Sequence, residues 1–398
     1  MRIAVVYDCL YPYNVGGAER WYRSLATALA RDGHDVTYIT LRQWPKGTDA
    51  ELPGARIVTV GPRMELYVRG RRRILPPIVF GLGVLAHLLV RGKRYDVVHT
   101  ASFPYFSLLA AAAARPLGRY RLVVDWIEIW TREYWREYLG RVGGWIGWRI
   151  QRLCARVPHR AFAISQLSAG RVTAEGHSGD VTVLPGLYGG PAEPDPALDG
   201  TEPVVVFAGR HIPEKQVTTI VPALLLARER LPELRAQIYG DGPDRAKLLR
   251  QIAEHGLEDV VSAPGFVAGE LVADSLRRAL CLLLPSRREG YGLVIIEAAA
   301  LGTPAVVVRG PDNAAIELVA EGENGFVASS VDPAELAGAI VRVHEAGGAL
   351  RRSTWQWYRR NARRLSVDSS LELVLRAYGV SGASPRDGED RRESRARD

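Results

Sequence analysis

Two glutamates lying eight residues apart in the second half of the chain are the side chains best suited to chemistry. Glu289 and Glu297 belong to the run Arg288–Glu297, in which glycines occupy positions 290 and 292. Two carboxylates could hydrolyse a glycosidic bond, but both must then flank one bond, with the pKa of one raised. A carboxylate can instead accept hydrogen bonds from two hydroxyl groups, as in a sugar or a ribose. The glycines leave N–H groups bare at a predicted helix N-terminus, where phosphate binds readily. The run therefore favours binding of an extended ligand with hydroxyl and phosphate groups.

A second candidate set follows the apolar run Val204–Ala208. Gly209 comes next, then Arg210, and Lys215 follows in the same loop. A glycine lets the backbone approach a ligand closely, and two cations at the carboxyl end of a strand suit a diphosphate. The alternative is a plain strand-to-helix loop with solvated charges. The glycine-rich turn Gly240–Pro243 is interpreted as structural.

The first half contains two further candidate loops. Gly16 and Gly17 precede a predicted helix and expose N–H groups there, although any tight turn before a helix could contain two glycines. Asp125 and Glu128 follow the apolar run Arg121–Val124. Capping of the next helix and a polar contact with a ligand account for this acidic pair equally well.

Alternating strand and helix patterns position these loops. The predicted strands are Ile3–Tyr7, Val36–Thr40, Val97–Thr100, Arg121–Val124, Ala161–Ser165, Val204–Ala208, Ala236–Tyr239, Cys281–Leu284 and Ala305–Val308. The predicted helices include Ala18–Ala30, Thr218–Arg230, Asp244–His255 and Gly292–Leu301. Short apolar strands separated by helices are typical of α/β proteins whose parallel sheets are covered on both faces.

The chain of 398 residues is too long for one ordinary core. Residues 191–203 are rich in Pro, Asp, Gly and Ala and predict a linker. We therefore expect an N-terminal domain over 1–190 and a C-terminal domain over 204–365, with the carboxyl ends of their sheets facing a central cleft. A C-terminal helix over 366–380 is expected to pack back toward the first domain. Residues 381–398 alternate Arg with Asp and Glu and predict a disordered tail.

Charge is divided unevenly along the chain. Residues 1–190 contain 26 Lys and Arg against 14 Asp and Glu, a net charge of +12, so the remainder carries −4 of the total of +8. A basic half suggests an anionic partner, either nucleic acid or an anionic membrane surface. No recognised nucleic-acid-binding module is found, so no nucleic-acid partner is expected.

Cysteine usage and the N-terminus indicate the compartment. The three cysteines, Cys9, Cys154 and Cys281, are far apart in apolar sequence and predict reduced thiols. Met1–Tyr7 enters a strand directly, without the pattern of a signal peptide. No Asp-x-Asp motif or His/Cys cluster suggests a metal site. A cytoplasmic protein is expected.

A mostly apolar segment lies between two basic runs. Ile74–Val90 is preceded by Arg69–Arg73 and followed by Arg91–Arg94, and its length and its Pro and Gly residues make it marginal for a spanning helix. One interpretation is a buried helix leading into the next strand. The other is peripheral attachment to anionic lipid at the inner face of the membrane, through the basic flanks together with Trp and Tyr residues of 126–148.

The motifs recur in the order and spacing of family 4 retaining glycosyltransferases, and the resemblance covers nearly the whole chain except the tail. It rests on the Gly-Arg-x₄-Lys loop at 209–215, the Gly-Asp-Gly-Pro turn at 240–243, the Glu-x₇-Glu element at 289–297 and the Gly-Thr-Pro turn at 302–304. The resemblance implies the GT-B fold, with two Rossmann-like domains facing a cleft. It also implies transfer of a hexose from a UDP- or GDP-sugar to a hydroxyl acceptor, with retention of configuration. The resemblance further implies that neither a metal nor a cofactor is used. The nucleotide sugar is itself a substrate.

The resemblance assigns roles on the donor side. Arg210 and Lys215 would hold the diphosphate, Glu289 would grip hydroxyls of the transferred sugar, and Glu297 would bind the ribose. Arg210, Lys215 and Glu289 are therefore the expected catalytic residues, since charge on the leaving diphosphate must be neutralised. The remaining expected donor contacts are Gly209, Gly290, Tyr291, Gly292 and Leu293.

The acceptor side departs from the family in one place. Gly16 and Gly17 correspond to a loop at the reaction centre. Relatives usually place a histidine in the loop after the strand Arg121–Val124, and Ile127 occupies that position here. The polar contact at this point is left unassigned, and Asp125 and Glu128 are the nearest candidates.

The acceptor could belong to glycolipid, polysaccharide or other glycoconjugate synthesis, and it could be lipid-linked. The missing histidine keeps open a non-catalytic GT-B protein that binds a nucleotide sugar. A nucleotide-sugar epimerase of the same fold is a further alternative, although its expected site bases are not visible.

Overall fold

The computed structural model describes residues 1–45, 47–68, 71–191, 196 and 201–378, without the side chains of Val68 and Arg71. The predicted tail at 381–398 and most of the predicted linker at 191–203 lie outside these residues.

The first half forms one seven-stranded parallel sheet. Its strands and those of a small antiparallel pair are β1 (Arg2–Val6), β2 (Asp35–Thr40), β3 (Ala55–Thr59), β4 (Tyr67–Val68), β5 (Arg71–Arg72), β6 (Val97–Ala101), β7 (Arg121–Trp126), β8 (Arg160–Ala163) and β9 (Val181–Val183). The sheet order is β3-β2-β1-β6-β7-β8-β9, while β4 and β5 pair with each other. β1 is buried along nearly its whole length, as expected for a central strand covered on both faces.

Helices cover both faces of this sheet. They are α1 (Gly17–Arg31), α2 (Leu75–Arg91), α3 (Tyr105–Gly118), α4 (Arg132–Arg156) and α5 (Gln166–Ala174), with a short 3₁₀ helix at Gly92–Arg94. α4 is sharply bent at Gly140, whose φ of 74° lies in the left-handed region. Such an angle is accessible to glycine at little cost.

The second half forms a six-stranded parallel sheet. The strands are β10 (Val204–Ala208), β11 (Arg235–Tyr239), β12 (Val261–Gly265), β13 (Cys281–Leu284), β14 (Arg288–Glu289), β15 (Ala305–Val308), β16 (Asp312–Asn313) and β17 (Gly325–Ala328). The sheet order is β12-β11-β10-β13-β15-β17, and β14 and β16 form a separate short parallel pair. The helices are α6 (Ile220–Arg228), α7 (Arg245–Glu254), α8 (Gly269–Arg278), α9 (Leu293–Ala300), α10 (Pro333–Leu365) and α11 (Val367–Ala377), with 3₁₀ turns at Pro213–Lys215, Val217–Thr219 and Ala314–Leu318.

The last helix returns to the first domain. Leu371 and Val374 of α11, and Tyr378 after it, belong to the apolar core of the first half. The chain thus crosses between the domains twice, and the crossings are joined by backbone hydrogen bonds from Tyr188 to Leu365 and from Val367 to Tyr188. The two separate cores and two parallel sheets confirm the predicted α/β fold class.

Candidate functional site

The cleft between the domains collects the loops at the carboxyl ends of both sheets. On the second-domain side, Lys215 donates a hydrogen bond to Glu289, and the two side chains are largely buried. The Ser286 hydroxyl lies 3.4 Å from the same carboxylate oxygen of Glu289. The structure therefore brings together a cation and a carboxylate that the sequence places 74 residues apart.

Two glycines support the loop that contains Arg210. A Cβ atom at Gly240 would lie 1.8 Å from the carbonyl oxygen of Gly209, and one at Gly242 would lie 2.4 Å from that of His211. The His211 N–H donates to the Asp241 carbonyl at 2.8 Å. The Gly-Asp-Gly-Pro turn thus acts as a close-packed support for the Arg210 loop, in keeping with its structural interpretation.

Arg210 is exposed at the end of β10. Its charge acts across the cleft on Glu19 of α1, whose carboxyl pKa it lowers against a larger rise caused by burial. Arg210 is therefore within electrostatic range of Glu19, three residues after Gly16 in the first domain.

The loop from Gly290 to Leu293 presents backbone to the cleft. Gly292 caps α9 with a φ of 96°. A Cβ atom at Gly290 would lie 3.1 Å from the carbonyl oxygen of Ile127 in the other domain. The side chain of Tyr291 is buried and donates to the Pro185 carbonyl at 2.8 Å, so only its backbone can contact a ligand.

Glu297 is contacted from the opposite domain. Arg20 Nη1 lies 3.3 Å from Glu297 Oε1, and both side chains are partly exposed. Burial raises the carboxyl pKa of Glu297, and Arg20 opposes that rise. Arg20 was not singled out from the sequence, although it follows the Gly16–Gly17 motif within the same helix turn.

The Gly16–Gly17 loop begins α1 with extended backbone at Gly16. A Cβ atom at Gly16 would collide with the Glu19 carboxylate, which folds back over it, whereas Gly17 faces open space. Burial raises the carboxyl pKa of Glu19, and the nearby Asp8 adds to the rise. A carboxylate thus covers the N-terminus of α1, where its charge is favourable.

Asp125 does not lie at the reaction centre. It is fully buried, with Oδ2 accepting from Trp21 Nε1 and Oδ1 accepting from His99 Nε2, both at 2.7 Å. The hydroxyl of Tyr378 binds the other nitrogen of His99. The reason is that β7 continues to Trp126, two residues beyond the predicted strand, so that Asp125 belongs to the strand and turns into the core.

Ile127 and Glu128 do lie at the domain boundary. Ile127 packs against the apolar cores of both domains. Glu128 accepts from Arg288 Nε at 2.9 Å and from Trp130 Nε1 at 3.1 Å. Glu128 is therefore engaged with the second domain and does not cap the next helix, which Thr131 caps instead.

A buried ion pair on the first-domain side was missed by sequence reasoning. Arg72 is paired with Asp8, which directly follows β1 and is fully buried, and Cζ of Arg72 lies 4.8 Å from the ring centroid of Phe103. Burial lowers the pKa of Arg72, but the charge of Asp8 together with the smaller contributions of Tyr67, Cys9 and Tyr7 outweighs that effect, and the net pKa is raised. Arg72 is thereby removed from the basic run expected to contact lipid. In the sequence, this ion pair is indicated only by the position of Asp8 directly after a predicted strand.

Within the part of the chain that the structure describes, no group of three or more His, Cys, Asp or Glu side chains could hold a metal ion. Cys9, Cys154 and Cys281 are buried and unpaired as disulfides.

Two family models match this chain. The model described as "Glycosyl transferase 4-like domain" matches residues 16–186, and that described as "Glycosyl transferases group 1" matches residues 192–360. Among similar proteins, glycogen synthase of Mycobacterium tuberculosis is 27% identical over 95% of this chain and 93% of its own length. MMP alpha-(1->4)-mannosyltransferase of Mycolicibacterium hassiacum is 27% identical over 88% of this chain and 91% of its own length.

Solved structures show the same fold over nearly the whole chain. Sucrose-phosphate synthase from Thermosynechococcus elongatus has a TM-score of 0.77 at 20% identity, covering 95% of this chain and 98% of that one. Alr3699/HepE of Anabaena, in complex with UDP and glucose, has a TM-score of 0.72 at 20% identity, covering 96% and 100%.

Proposed function

This chain belongs to the family 4 glycosyltransferases with the GT-B fold, and from that premise we propose that it transfers a hexose from a UDP- or GDP-sugar to a hydroxyl acceptor with retention of configuration. The observation that carries the proposal is the convergence of Lys215, Glu289 and the glycine-rich start of α9 at one point of the cleft.

The donor would replace two ion pairs. Lys215 exchanges Glu289 for the diphosphate, and the freed carboxylate of Glu289 accepts hydrogen bonds from sugar hydroxyls. Glu297 exchanges Arg20 for the ribose hydroxyls in the same way. Each pair keeps a partly buried charge compensated until a ligand with complementary groups arrives.

The reaction itself makes one bond and breaks one. The acceptor oxygen bonds to the anomeric carbon, the bond from that carbon to the diphosphate oxygen breaks, and the hydroxyl proton leaves with the diphosphate. Arg210, Lys215 and the N–H groups before α9 would stabilise the charge that develops on the leaving group. Closure of the domains would keep water out during the transfer.

Relatives support both nucleotide classes as donors. A mannosyltransferase of Mycolicibacterium smegmatis, named as GDP-mannose-dependent and acting on phosphatidylinositol monomannoside, is 32% identical over 41% of this chain. The HepE structure contains UDP and glucose. We therefore keep UDP- and GDP-hexoses as the donor candidates and a lipid-linked or carbohydrate hydroxyl as the acceptor.

A donor screen tests the proposal. Thermal unfolding is measured with UDP, GDP, UDP-glucose, UDP-galactose and GDP-mannose, since a ligand at about 100 times its Kd stabilises a protein by about 2.7 kcal/mol. Nucleotide release is then followed with the stabilising donor. Stabilisation with neither transfer nor slow hydrolysis would favour a non-catalytic binding protein. Conversion of the sugar on the intact nucleotide would favour an epimerase.

We also propose peripheral attachment to an anionic membrane, with the protein on the cytoplasmic side. Residues Leu75–Arg94 are long and apolar enough to cross a membrane by length and composition alone. However, Gly81 and Gly83 pack α2 so closely that a Cβ there would meet Phe106 at 2.5 Å and Val60 at 1.9 Å. This close packing favours a helix of the first domain with one exposed apolar face.

The bent helix α4 offers a second exposed face. Val142, Trp145, Ile146 and Leu153 are exposed large apolar residues, and Cζ of Arg149 lies 5.6 Å from the Trp145 ring centroid. Their spacing of three, four and seven residues puts them on one side of the helix. An apolar stripe with arginines is suited to the interface of an anionic bilayer.

Vesicle sedimentation tests the attachment. The wild-type protein should sediment with vesicles containing phosphatidylglycerol but not with pure phosphatidylcholine, and the double variant Trp145→Ser/Ile146→Ser should lose that binding. Phe266→Ser is the matched control, because Phe266 is 71% exposed on the second domain. Equal sedimentation of both variants would contradict the proposed surface.

A further inference from the structure

Arg288 is held by the first domain although it belongs to the second. Its side chain is only 4% exposed, and its Nε donates to Glu128 at 2.9 Å across the cleft. Its Cζ lies 4.0 Å from the ring centroid of Tyr134 and 4.8 Å from that of Trp130. A desolvated guanidinium against aromatic faces is a strong form of cation–π contact.

The two terminal nitrogens of Arg288 have no hydrogen-bond partner among the residues that the structure describes. The aromatic faces of Trp130 and Tyr134 therefore take the place of acceptors. These two rings are themselves fixed edge to face, with centroids 4.7 Å apart and planes at 87°. Trp130, Tyr134 and Glu128 thus form a preorganised binding site for the guanidinium on the first domain.

Tyr134 of this binding site also makes a hydrogen bond to the second domain. The Tyr134 hydroxyl donates to the carboxylate of Glu214, and burial together with this bond raises the pKa of Tyr134. The Glu214 carbonyl in turn accepts from the backbone N–H of Arg287 at 2.9 Å. Tyr134 therefore contacts the loop of Lys215 through Glu214 and the loop of Glu289 through Arg288.

The contacting residues are adjacent in sequence to the residues of the proposed reaction centre. Glu214 directly precedes Lys215, and Arg288 directly precedes Glu289, the two residues that the proposed donor would contact. On the other side, Glu128 directly follows Ile127, whose carbonyl faces Gly290. Glu214, Arg288 and Glu128 thus each lie one residue from a residue of the proposed reaction centre.

We propose that Arg288 and Tyr134, with Glu128, Trp130 and Glu214, form a clasp that positions the first-domain loop at Ile127 over the donor sugar. These are positioning residues, since none of them touches the reacting atoms. The inference rests on the proposed transfer reaction. It adds that domain closure and the geometry of Lys215 and Glu289 are set by the same contacts.

A matched pair of variants tests the clasp. Arg288→Met removes the buried guanidinium, whereas Arg287→Met removes an exposed interdomain pair with Glu137, whose atoms lie 2.7 Å apart. Exposed pairs contribute little, so Arg287→Met should behave as wild type. Because misplacement by about 1 Å can cost about a hundredfold in rate, we expect Arg288→Met to lower turnover of the donor by at least about tenfold. The affinity for free UDP or GDP should change less than about twofold, because the clasp residues are not proposed to contact the nucleotide.

Two further measurements separate positioning from simple damage. Small-angle X-ray scattering of the nucleotide-saturated protein should give a larger radius of gyration for Arg288→Met than for Arg287→Met. Tyr134→Phe keeps the ring and removes only the bond to Glu214, so it covers the case in which Arg288→Met does not fold. Since hydrogen bonds to charged groups are worth more than neutral ones, it should lower turnover by about tenfold.

The outcomes are distinguishable from failure of the proposed function. If the wild-type protein turns over no nucleotide sugar, the proposed transfer reaction is wrong and the clasp falls with it. If the wild type is active and Arg288→Met and Tyr134→Phe match Arg287→Met in turnover and radius of gyration, the clasp alone is refuted. Arg288→Lys should not restore activity, because an ammonium lacks the planar guanidinium that lies against both rings.

Discussion

Replacement of Lys215 by methionine is the most direct test of the donor site. Lys215 is bonded to Glu289, its side chain is 16% exposed, and it lies in the 3₁₀ turn after β10. With the diphosphate in place of Glu289, its ammonium would face the charge that grows as the glycosidic bond breaks. The substitution keeps most of the length of the side chain and removes that charge.

The magnitude is estimated for a largely buried but not fully desolvated charge pair, since the Lys215 side chain is 16% exposed. Two unit charges about 4 Å apart at an effective dielectric constant of about 20 attract by about 4 kcal/mol. Since 1.36 kcal/mol corresponds to a factor of ten in rate, the upper limit is about a thousandfold in kcat/KM. Some of this attraction acts on the bound donor as well, so KM should rise while kcat falls by at least about tenfold.

Loss of Lys215 also leaves Glu289 without its cation. Of the side-chain hydrogen bonds that the structure shows for Glu289, only that from the Ser286 hydroxyl at 3.4 Å would remain. The uncompensated carboxylate would then repel the diphosphate and add to the loss.

The assay is release of UDP or GDP from the donor identified by the thermal screen, measured over a range of donor concentrations. Lys93→Met is the control, because Lys93 is an exposed lysine in the 3₁₀ turn Gly92–Arg94 before β6, at the end of the first sheet opposite the carboxyl ends of its strands. Thermal unfolding checks that both variants are folded. A Lys215→Met enzyme that keeps more than a third of the wild-type kcat/KM would refute the assigned role.

Three further predictions concern the nucleotide, the fold and pH. Glu297→Ala should weaken binding of free UDP or GDP by about tenfold by calorimetry, since a hydrogen-bonded charged group is lost; unchanged affinity would remove the ribose role. Gly240→Ala should lower the free energy of unfolding by about 1–3 kcal/mol, because its φ is 122° and a Cβ would collide with Gly209; an unchanged melting temperature would contradict this. Burial and the neighbouring His177 lower the pKa of His159 to about 4. The folded state then binds fewer protons than the unfolded state, so this contribution is complete above pH 6.5 and is lost as pH falls from 6.5 through 4. Chemical denaturation should show a loss of about 3 kcal/mol at most over this window, and the loss should be smaller in His159→Gln; an equal loss would assign it to other groups.

Continuous apolar runs made most of the central strands predictable. β13 has the predicted bounds Cys281–Leu284, and β10 has the predicted bounds Val204–Ala208. These strands are buried on both faces, so their sequences contain no polar residue that could be confused with a loop. β3 was missed, because Ala55–Thr59 is a half-exposed edge strand with a mixed sequence.

Charged residues inside elements caused the larger errors. Asp125 resembles a loop residue in the sequence, and only its burial against Trp21 and His99 explains its place in β7. Those partners lie 104 and 26 residues away, so local pattern could not reveal them. Arg72 is a similar case, since it lies in a basic run and its partner Asp8 is 64 residues away.

The long helix α4 was also hidden, because its glycines lower helix propensity. These glycines allow close packing within the bent helix. A Cβ at Gly144 would lie 2.5 Å from the Trp135 carbonyl oxygen, and one at Gly147 would lie 2.4 Å from the Trp135 ring. The bend at Gly140 therefore folds the second part of the helix back onto the first. This arrangement depends on tertiary contacts and not on the periodicity of apolar residues in the sequence.

The proposed donor side of the site was more predictable than the proposed acceptor side for a physical reason. Binding of a diphosphate requires cations and bare N–H groups at fixed points of a loop, and these leave a local motif such as Arg210 to Lys215. The acceptor side is assembled from separate segments, as the pair of Asp8 and Arg72 illustrates. Pairings of this kind depend on topology and have no spacing rule.

The position of Ile127 follows from what holds its two neighbours. On one side, Asp125 is anchored in the core by two buried hydrogen bonds, and Trp126 is the last residue of β7. On the other side, Glu128 is bound to Arg288 of the second domain. A residue between two such anchors has little freedom, whatever its side chain. The part of this loop that approaches Gly290 is the carbonyl of Ile127, which a histidine at the same position would also present. Replacement of the usual histidine by isoleucine therefore removes one polar side chain from the cleft while the loop keeps its placement, and the missing histidine is weak support for a non-catalytic protein.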